Sequence, residues 1–336
     1  MKKARVIYNP HSGKEIMKRY LPDILNVLEE EGYEASAYQT TPEENSAQNE
    51  ARRCGKAGFE LIIAAGGDGT INEVVNGLAP LRRRPLLAIV PGGTTNDYAR
   101  ALKIPRNNPV KAIELIKKKQ TIKMDIGKAG EKYFINIAAG GALTELTYDV
   151  SSELKTAFGY LAYLAKGAEI LPRIKPVKMK VTYDSGVFEG NASMFFVALT
   201  NSVGGFEKIV PDATLDDGKF SLIIVKTANV FDILYLAALV SNGKHVHDKR
   251  VLYVKSSKVK VKLLEDEKMM INIDGEYGGD APMTFINLKN HLEIFANIDE
   301  ISDDAIVGDY EEEMYAEAKT NLLKEIEEIE KGAELN

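Results

Sequence analysis

The chain has 336 residues, of which 45% are hydrophobic and 27% are charged, and its formal net charge is −6. This length and this apolar content allow two globular domains with cores of their own. The single cysteine, Cys54, excludes a disulfide framework, and no apolar run is long enough for a signal peptide or a bilayer span. We therefore expect a soluble protein of the cytoplasm.

The charge is unevenly distributed along the chain. Residues 299–336 hold 14 acidic residues against 3 lysines, which leaves 40 basic and 35 acidic residues before them. The body of the protein is thus mildly basic and could approach an anionic membrane surface, whereas we expect no nucleic-acid partner. Apolar residues at helical spacing predict an amphipathic helix over 309–331, within this acidic extension.

Strand-like and helix-like runs alternate through the first third of the chain, which favours a parallel α/β domain. The predicted strands are 4–8, 33–39, 59–65 and 85–90. The predicted helices are 15–31, 43–56, 71–78, one that begins near residue 97, and a lysine-rich one at 110–119. The carboxyl ends of such strands lie side by side, and that edge is where open parallel sheets bind ligands.

The motif Gly66-Gly67-Asp68-Gly69-Thr70 stands between a predicted strand and a predicted helix. Glycines at such a junction let the backbone approach a phosphate, and a helix N-terminus favours an anion. Asp68 would repel a phosphate unless a divalent cation lay between them, so we interpret it as a Mg²⁺ residue. Thr70 and Glu73 match a capping box for the helix that follows.

Two further loops follow neighbouring strands. Residues 91–97 read PGGTTND and repeat the arrangement of strand, glycine pair and hydroxyl residue, while residues 9–14 read NPHSGK. The GxxxxGK[ST] spacing of a Walker P-loop is absent from the chain. Two glycine-rich strand-to-helix loops in one sheet nevertheless indicate a nucleotide-phosphate site.

The second half of the chain has strand patterns at 176–183, 187–200 and 251–263 without a helix after each, which predicts an antiparallel β domain. Apolar helical segments at 154–171 and 230–240 either pack in a core or line a lipid channel. Asp274-Gly275-Glu276 is either a β-turn between strands or an extended segment whose two carboxylates share a face. In the second case, like charge would raise the pKa of one of them.

The motifs together resemble a known family. The segments that carry the resemblance are GGDGTIN at 66–72, with EVVNG after it, PGGTTND at 91–97, NSVGGF at 201–206, LDDG at 215–218 and IDGEYGG at 273–279. The chain is similar to the diacylglycerol kinase catalytic family, which includes sphingosine and ceramide kinases, and to its soluble bacterial members of the Gram-positive type. The resemblance covers residues 1 to about 298, and the acidic extension departs from it.

The resemblance implies a fold and a domain arrangement. It implies an α/β nucleotide-binding domain like that of NAD kinases and phosphofructokinases, an antiparallel β-sandwich domain, and an active site in the cleft between them. We assign residues 1–126, completed by 288–336, to the first domain and residues 127–287 to the second, which would take the lipid. Residues 299–336 would form a helical extension.

The resemblance also implies site residues. ATP contacts are expected at Asn9, Pro10, His11, Ser12, Gly13, Thr40, Gly66, Gly67, Asp68, Gly69, Thr70, Ile71, Asn72 and Thr94. Asp68, Asp97 and Asp125 would hold the Mg²⁺ of the nucleotide through waters. Either Asp274 or Glu276 would take a proton from the substrate hydroxyl, and sequence leaves open which one. A second, structural Mg²⁺ is expected at Asp217 and at the carbonyls of Thr214 and Lys219.

The activity implied is ATP-dependent phosphorylation of the primary hydroxyl of diacylglycerol, giving phosphatidic acid at the inner face of the membrane. In the cell this would return diacylglycerol released by envelope polymer synthesis to the phospholipid pool. A kinase for a sphingoid base or for NAD is the alternative enzyme, and a catalytically silent lipid-binding protein is the alternative outside enzymes. The resemblance leaves a homodimer open.

Overall fold

The computed structural model describes residues 2–13, 15–141, 176–202, 209–228, 232, 235–236, 239–240, 243–266, 268–302 and 305–306. Several predicted features lie outside these residues: the helices at 154–171 and 309–331, most of the helix at 230–240, Lys14, and residues 203–206 of the NSVGGF motif. Among the described helices, none is both long enough and apolar enough to cross a membrane.

The first part of the chain forms the predicted parallel sheet. Its strands pair in the order β2, β1, β3, β4 and are β1 (Lys2–Tyr8), β2 (Tyr33–Gln39), β3 (Leu61–Gly66) and β4 (Leu86–Pro91). The connecting helices are α1 (Ile16–Glu30), α2 (Ser46–Lys56) and α3 (Asp68–Leu78). All of β3 and nearly all of β4 are buried, as expected for parallel strands that are covered on both faces.

Three short helices follow β4, namely α4 (Asp97–Ala101), α5 (Pro109–Ile113) and α6 (Leu115–Lys118). The sequence predicted one helix at 110–119, and the structure divides it at Glu114. Asn108 caps α5, because its side chain accepts hydrogen bonds from the amides of Val110 and Lys111.

The rest of the described chain forms mostly antiparallel strands, as predicted, with short 3₁₀ helices at Lys244–His247 and Ile298–Glu300. Its strands are β5 (Thr121–Ala129), β6 (Lys132–Phe134), β7 (Ile137–Gly141), β8 (Val177–Tyr183), β9 (Gly186–Ala198), β10 (Phe220–Lys226), β11 (Val251–Ser256), β12 (Lys258–Leu263), β13 (Met270–Ile273), β14 (Glu276–Asp280) and β15 (Met283–Phe295). The pattern at 251–263 forms two strands, because the chain turns at Ser257. There the Ser257 amide donates to Asp184 at 2.6 Å and the Ser256 hydroxyl donates to Lys258 O at 2.7 Å.

The last strand, β15, joins the two parts. It pairs antiparallel with β12 and with β5, and near its end Ile294 pairs in parallel with Leu87 of β4. The register between β15 and β5 shifts between Leu288 and Leu292. The end of β15 therefore lies in the first sheet, beside β4.

Candidate active site

The loops after β1, β2, β3 and β4 meet at one edge of the parallel sheet. The Gly92 amide donates to Gly66 O at 2.7 Å, and the Asn9 amide donates to Ala65 O at 3.0 Å. The Thr40 amide donates to Tyr8 O at 2.9 Å, which places Thr40 beside the loop that follows β1. The expected convergence of these loops is therefore observed.

The glycines of these loops are needed for close backbone contact. A Cβ added at Gly93 would lie 2.8 Å from Gly67 Cα. Gly13 has a φ of +56°, and a Cβ there would lie 2.7 Å from Gly92 O. Side chains at these positions would separate the loops.

Helix α3 begins directly after this contact. Gly67 is its N-cap residue, and the first intrahelical bond runs from the Ile71 amide to Gly67 O at 3.1 Å. The amides of residues 68–70 therefore have no partner within the helix and point out of its N-terminus, where they can bind an anion. The Ile71 side chain is fully buried in the core, so only its backbone could face a nucleotide.

The predicted capping box is wrong. Glu73 turns away from the start of α3 and accepts hydrogen bonds from the amides of Ala47 at 2.9 Å and Gln48 at 3.4 Å. It therefore caps the start of α2. Burial raises the pKa of Glu73, and the charge of Glu276 adds to this effect, while the two amides lower it.

Asp68 lies in the first turn of α3. Its Oδ2 accepts a hydrogen bond of 3.0 Å from the hydroxyl of Thr95, and its buried Oδ1 has no hydrogen-bond partner among the described residues. Burial raises the pKa of Asp68 and so does the neighbouring Asp97, whereas the Thr95 hydroxyl lowers it. Asp97 is also buried and accepts a bond of 2.9 Å from the Ser202 hydroxyl. The carboxylate of Asp97 is therefore close enough to that of Asp68 to raise its pKa.

Asp125 has a different set of contacts. Its carboxylate accepts hydrogen bonds from the amides of Gly218 and Asn290, and its own amide donates to Leu215 O at 2.8 Å. Burial raises the pKa of Asp125 to about 6, against the lowering effect of those amides. The structure thus joins Asp125 to the Asp217 turn, and each of its carboxylate oxygens accepts one backbone amide.

Asp274 occupies the turn of the β13–β14 hairpin. Its φ is +49° and that of Gly275 is +95°, as a two-residue type I′ turn requires. The carboxylate accepts four hydrogen bonds, from the amides of Ile135, Asn136 and Ile137 and from Asn72 Nδ2, with distances of 2.8 to 3.0 Å. Burial raises the pKa of Asp274 to about 6, and these four bonds oppose that rise.

Glu276 is placed differently from Asp274. It begins β14, its side chain is exposed, and its Oε1 lies 3.7 Å from the position of a Cβ added at Gly69. The expectation that the two carboxylates share a face of an extended segment is wrong, because the left-handed turn separates them. Burial, and not the charge of Glu276, is the main cause of the raised pKa of Asp274.

Two residues of this site were missed by sequence reasoning. Thr95 contacts Asp68, whereas the predicted Thr94 is exposed. Asn76 bonds both Asn72 and the backbone of Tyr133. A usable signal for Asn76 was its spacing of four residues from Asn72, which puts both amides on one face of α3.

The loop after β1 is held by its own first residue. Asn9 Oδ1 accepts from the His11 amide at 2.9 Å, and Asn9 O accepts from the Ser12 amide at 3.3 Å. Pro10 and Gly13 complete this turn, so the predicted contact residues 9–13 form one compact loop beside Gly92.

At the predicted structural metal site, Asp217 Oδ1 accepts a bond of 2.7 Å from the Lys219 amide. The buried hydroxyl of Thr214 has no hydrogen-bond partner within the part of the chain that the structure describes. Within the part of the chain that the structure describes, no three His, Cys, Asp or Glu side chains group closely enough to hold a metal ion by themselves. The buried oxygen of Asp68 fits the nucleotide's hydrated Mg²⁺, since a bound water can donate to it, and the Thr214 hydroxyl could accept from a water at the separate structural site.

Two family models match the chain. Residues 3–129 match the diacylglycerol kinase catalytic domain, and residues 144–296 match the YegS C-terminal NAD kinase beta sandwich-like domain. The expected order of an α/β domain followed by an antiparallel β-sandwich domain is thus confirmed.

Curated relatives match over most of the chain. A diacylglycerol kinase of Bacillus subtilis (strain 168) is 50% identical over 294 residues, which cover 88% of this chain and 96% of that protein. A diacylglycerol kinase of Staphylococcus aureus (strain NCTC 8325 / PS 47) is 47% identical over 309 residues, which cover 92% of this chain and 97% of that protein.

Solved structures show the same similarity. The structure of a diacylglycerol kinase from Bacillus anthracis str. Sterne has a TM-score of 0.69 and 25% identity, and the match covers 88% of this chain and 97% of that one. A second structure from the same organism has a TM-score of 0.77 and 28% identity, with 88% and 95% covered.

Proposed function

We propose that this chain, which belongs to the diacylglycerol kinase family, transfers the γ-phosphoryl group of ATP to the primary hydroxyl of diacylglycerol and so forms phosphatidic acid. The observation that carries the proposal is the placement of one hairpin of the second domain against the first turn of α3. There Asn72 Nδ2 donates to Asp274 at 2.8 Å, and Glu276 lies over Gly69.

The loops around Gly67 and Gly93 would hold the phosphates of ATP. Their backbones touch, so a phosphate can approach without meeting a side chain. The amides at the start of α3 would donate to the phosphate oxygens, and the positive end of the helix would stabilise their charge. The loop at residues 9–13 and Thr40 border the same edge and would contact the rest of the nucleotide.

Asp68 and Asp97 would hold Mg²⁺ through its bound waters. Asp68 offers a buried oxygen that accepts no hydrogen bond from the described residues, and the charge of Asp97 beside it adds to the negative potential that a cation would meet there. When bound, Mg²⁺ supplies neutralisation of the phosphate charge during transfer. Asp125 would take part through the Asp217 turn, because its carboxylate accepts the amide of Gly218 in that turn. That turn, with Thr214 and Lys219, would hold the structural Mg²⁺.

Glu276 is proposed as the general base. Asp274 accepts four hydrogen bonds, which fill the lone-pair positions of a carboxylate, so taking a proton would require the release of a donor. A pKa near 6 would suit a base, but the hydrogen bonds leave Asp274 no free oxygen. Glu276 is exposed beside the anion-binding end of α3 and can accept the proton of an attacking hydroxyl.

The acceptor is taken to be diacylglycerol because the relatives that match over most of the chain are diacylglycerol kinases. Such a lipid lies in a bilayer, so we propose that the enzyme works as a peripheral protein at the inner face of the membrane. Sphingoid bases and NAD remain the alternative acceptors, and the proposal does not require a homodimer.

An acceptor screen tests the proposed function. Purified protein would receive radiolabelled ATP and Mg²⁺ with diacylglycerol in mixed micelles, with sphingosine in the same micelles, or with NAD in buffer. Label in phosphatidic acid at a kcat/KM at least about tenfold above that for either alternative supports the proposal, since tenfold corresponds to about 1.4 kcal/mol of transition-state discrimination. Label mainly in either other acceptor, or in none, would overturn it.

A further inference from the structure

We infer that Asn76 is a positioning residue for phosphoryl transfer, which sets the orientation of the Asn72 amide and thereby holds the hairpin of Asp274 and Glu276 against α3. The inference rests on the proposed function only for the reaction that it serves. Asn76 itself contacts neither the glycine loops nor the two carboxylates; its side-chain bonds go to Asn72 and Tyr133.

The orientation of Asn76 is fixed by the backbone of β6. The Tyr133 amide can only donate, and it donates to Asn76 Oδ1 at 2.8 Å. With Oδ1 facing the Tyr133 amide, Asn76 Nδ2 faces the carbonyl of the same residue and donates to Tyr133 O at 2.9 Å. An amide turned over would place a donor against a donor and an acceptor against an acceptor.

The orientation of Asn72 follows from that of Asn76. Asn76 Nδ2 also lies 2.9 Å from both Asn72 Oδ1 and Asn72 O, so Asn72 Oδ1 faces a donor and acts as an acceptor. Asn72 Nδ2 is left to point at Asp274, to which it donates at 2.8 Å. An ionised carboxylate only accepts hydrogen bonds, so each donor in the chain from Tyr133 to Asp274 meets an acceptor.

The same short segment of chain holds both ends of this network. Tyr133 binds Asn76, and the amides of Ile135, Asn136 and Ile137 bind the Asp274 carboxylate. Helix α3, residues 133–137 and the hairpin turn therefore form one hydrogen-bonded unit. Loss of the correct Asn72 orientation would set an amide oxygen against the Asp274 carboxylate and displace Glu276, which follows two residues later.

The substitution Asn76→Asp tests this inference with no change of size. It keeps the acceptor for the Tyr133 amide but puts an oxygen in place of Nδ2, opposite Tyr133 O and Asn72 Oδ1. The Asn72 amide is expected to turn over, and kcat is expected to fall about tenfold or more, because misplacement of a catalytic group by about 1 Å has such effects. KM and Kd for ATP should stay within about twofold, since the glycine loops are untouched.

The matched control is Asn49→Asp, the same change at an exposed position of helix α2. It should leave kcat within about twofold of the wild type. Thermal unfolding and the stoichiometry of ATP binding measure the folded fraction of each variant. Should Asn76→Asp fail to fold, Asn76→Ala removes the orienting group without adding charge, and its kcat should fall at least about threefold with unchanged ATP binding.

A double-mutant cycle with Asn72→Ala separates positioning from a general structural role. If Asn76 acts through Asn72, adding Asn76→Asp to Asn72→Ala should lower kcat by less than about threefold. An equal loss in both backgrounds, or a kcat of Asn76→Asp within about twofold of the wild type, would overturn the inference. Either result would leave the proposed function intact. A wild-type protein that phosphorylates no diacylglycerol would overturn the proposed function instead, and the Asn76 variants could then be compared on whichever acceptor is used.

Discussion

Glu276 lies against Gly69: its Oε1 is 3.7 Å from the point where a Cβ at residue 69 would stand. Gly69 belongs to the first turn of α3 and Glu276 to the first residue of β14, so the contact joins the two domains. The positive end of a helix stabilises an ionised carboxylate, and it also stabilises a phosphate. The proposed base and the proposed phosphate site therefore share one helix terminus.

The first prediction concerns the Mg²⁺ requirement. Asp68→Asn should raise the Mg²⁺ concentration for half-maximal activity by about tenfold or more, because the buried carboxylate beside Asp97 loses its charge. Each tenfold corresponds to about 1.4 kcal/mol of Mg²⁺ binding free energy. Initial rates over a Mg²⁺ titration at saturating ATP measure it. The control is Asp23→Asn on the exposed face of α1. An unchanged Mg²⁺ titration for Asp68→Asn would remove this residue from the metal site.

A second prediction concerns the contact between the two glycine loops. Gly93→Ala would bring its Cβ to 2.8 Å from Gly67 Cα, so the loops must move apart. The KM for ATP should rise about tenfold, while the KM for the lipid should change little. Gly190→Ala is the matched control, since its Cβ would meet only Phe188 at an ordinary 3.6 Å. Equal ATP constants for the two variants would show that the loop contact does not shape the nucleotide site.

A third prediction concerns the pH dependence of stability. Burial raises the pKa of Asp125 to about 6, above its ordinary value, so the protonated carboxyl is favoured in the folded state. Its contribution to stability is full at low pH and is lost as the pH rises through about 6, which amounts to about 1 kcal/mol between pH 5 and pH 7. Asp125→Asn should remove that share of the pH dependence.

Chemical denaturation at pH 5 and pH 7 in the presence of EDTA measures this share. The chelator keeps metal ions from the carboxylates, and Asp266→Asn at an exposed position serves as the control. The free energy of unfolding of Asp125→Asn should fall less between the two pH values than that of the wild type. An identical fall in both proteins would show that Asp125 does not titrate in this range.

Much of the fold could be predicted from sequence because its signals are local. The continuous apolar runs of β3 and β4, the alternation in β8 and the glycine pairs after the strands each report on their own segment. The family motifs then add the order of the two domains. Two element boundaries, at Glu114 and Ser257, were not predicted. Near Glu114 the helix α5 is capped by the neighbouring Asn108, and at Ser257 the turn is bonded to the distant Asp184.

The details of the site could not be predicted, because they depend on which distant groups meet. Glu73 matches a capping box in sequence, yet its carboxylate caps the neighbouring helix α2. Asp274 and Glu276 stand two residues apart, but the turn directs them to different surroundings. Asp274 bonds the amides of residues 135–137, whereas Glu276 is exposed to solvent beside Gly69. Hydrogen bonds between residues as far apart as 72 and 274 leave no periodic pattern in a single sequence.

The most direct test of the account compares the wild type with Glu276→Gln in the transfer of labelled phosphate from ATP to diacylglycerol, with Asp280→Asn on the same strand as the control. The account predicts that wild type and control form phosphatidic acid, and that Glu276→Gln binds ATP with Mg²⁺ equally well yet turns over about 10² to 10⁴ times more slowly, the range for loss of a general base. A kcat of Glu276→Gln within about twofold of the wild type would contradict the account.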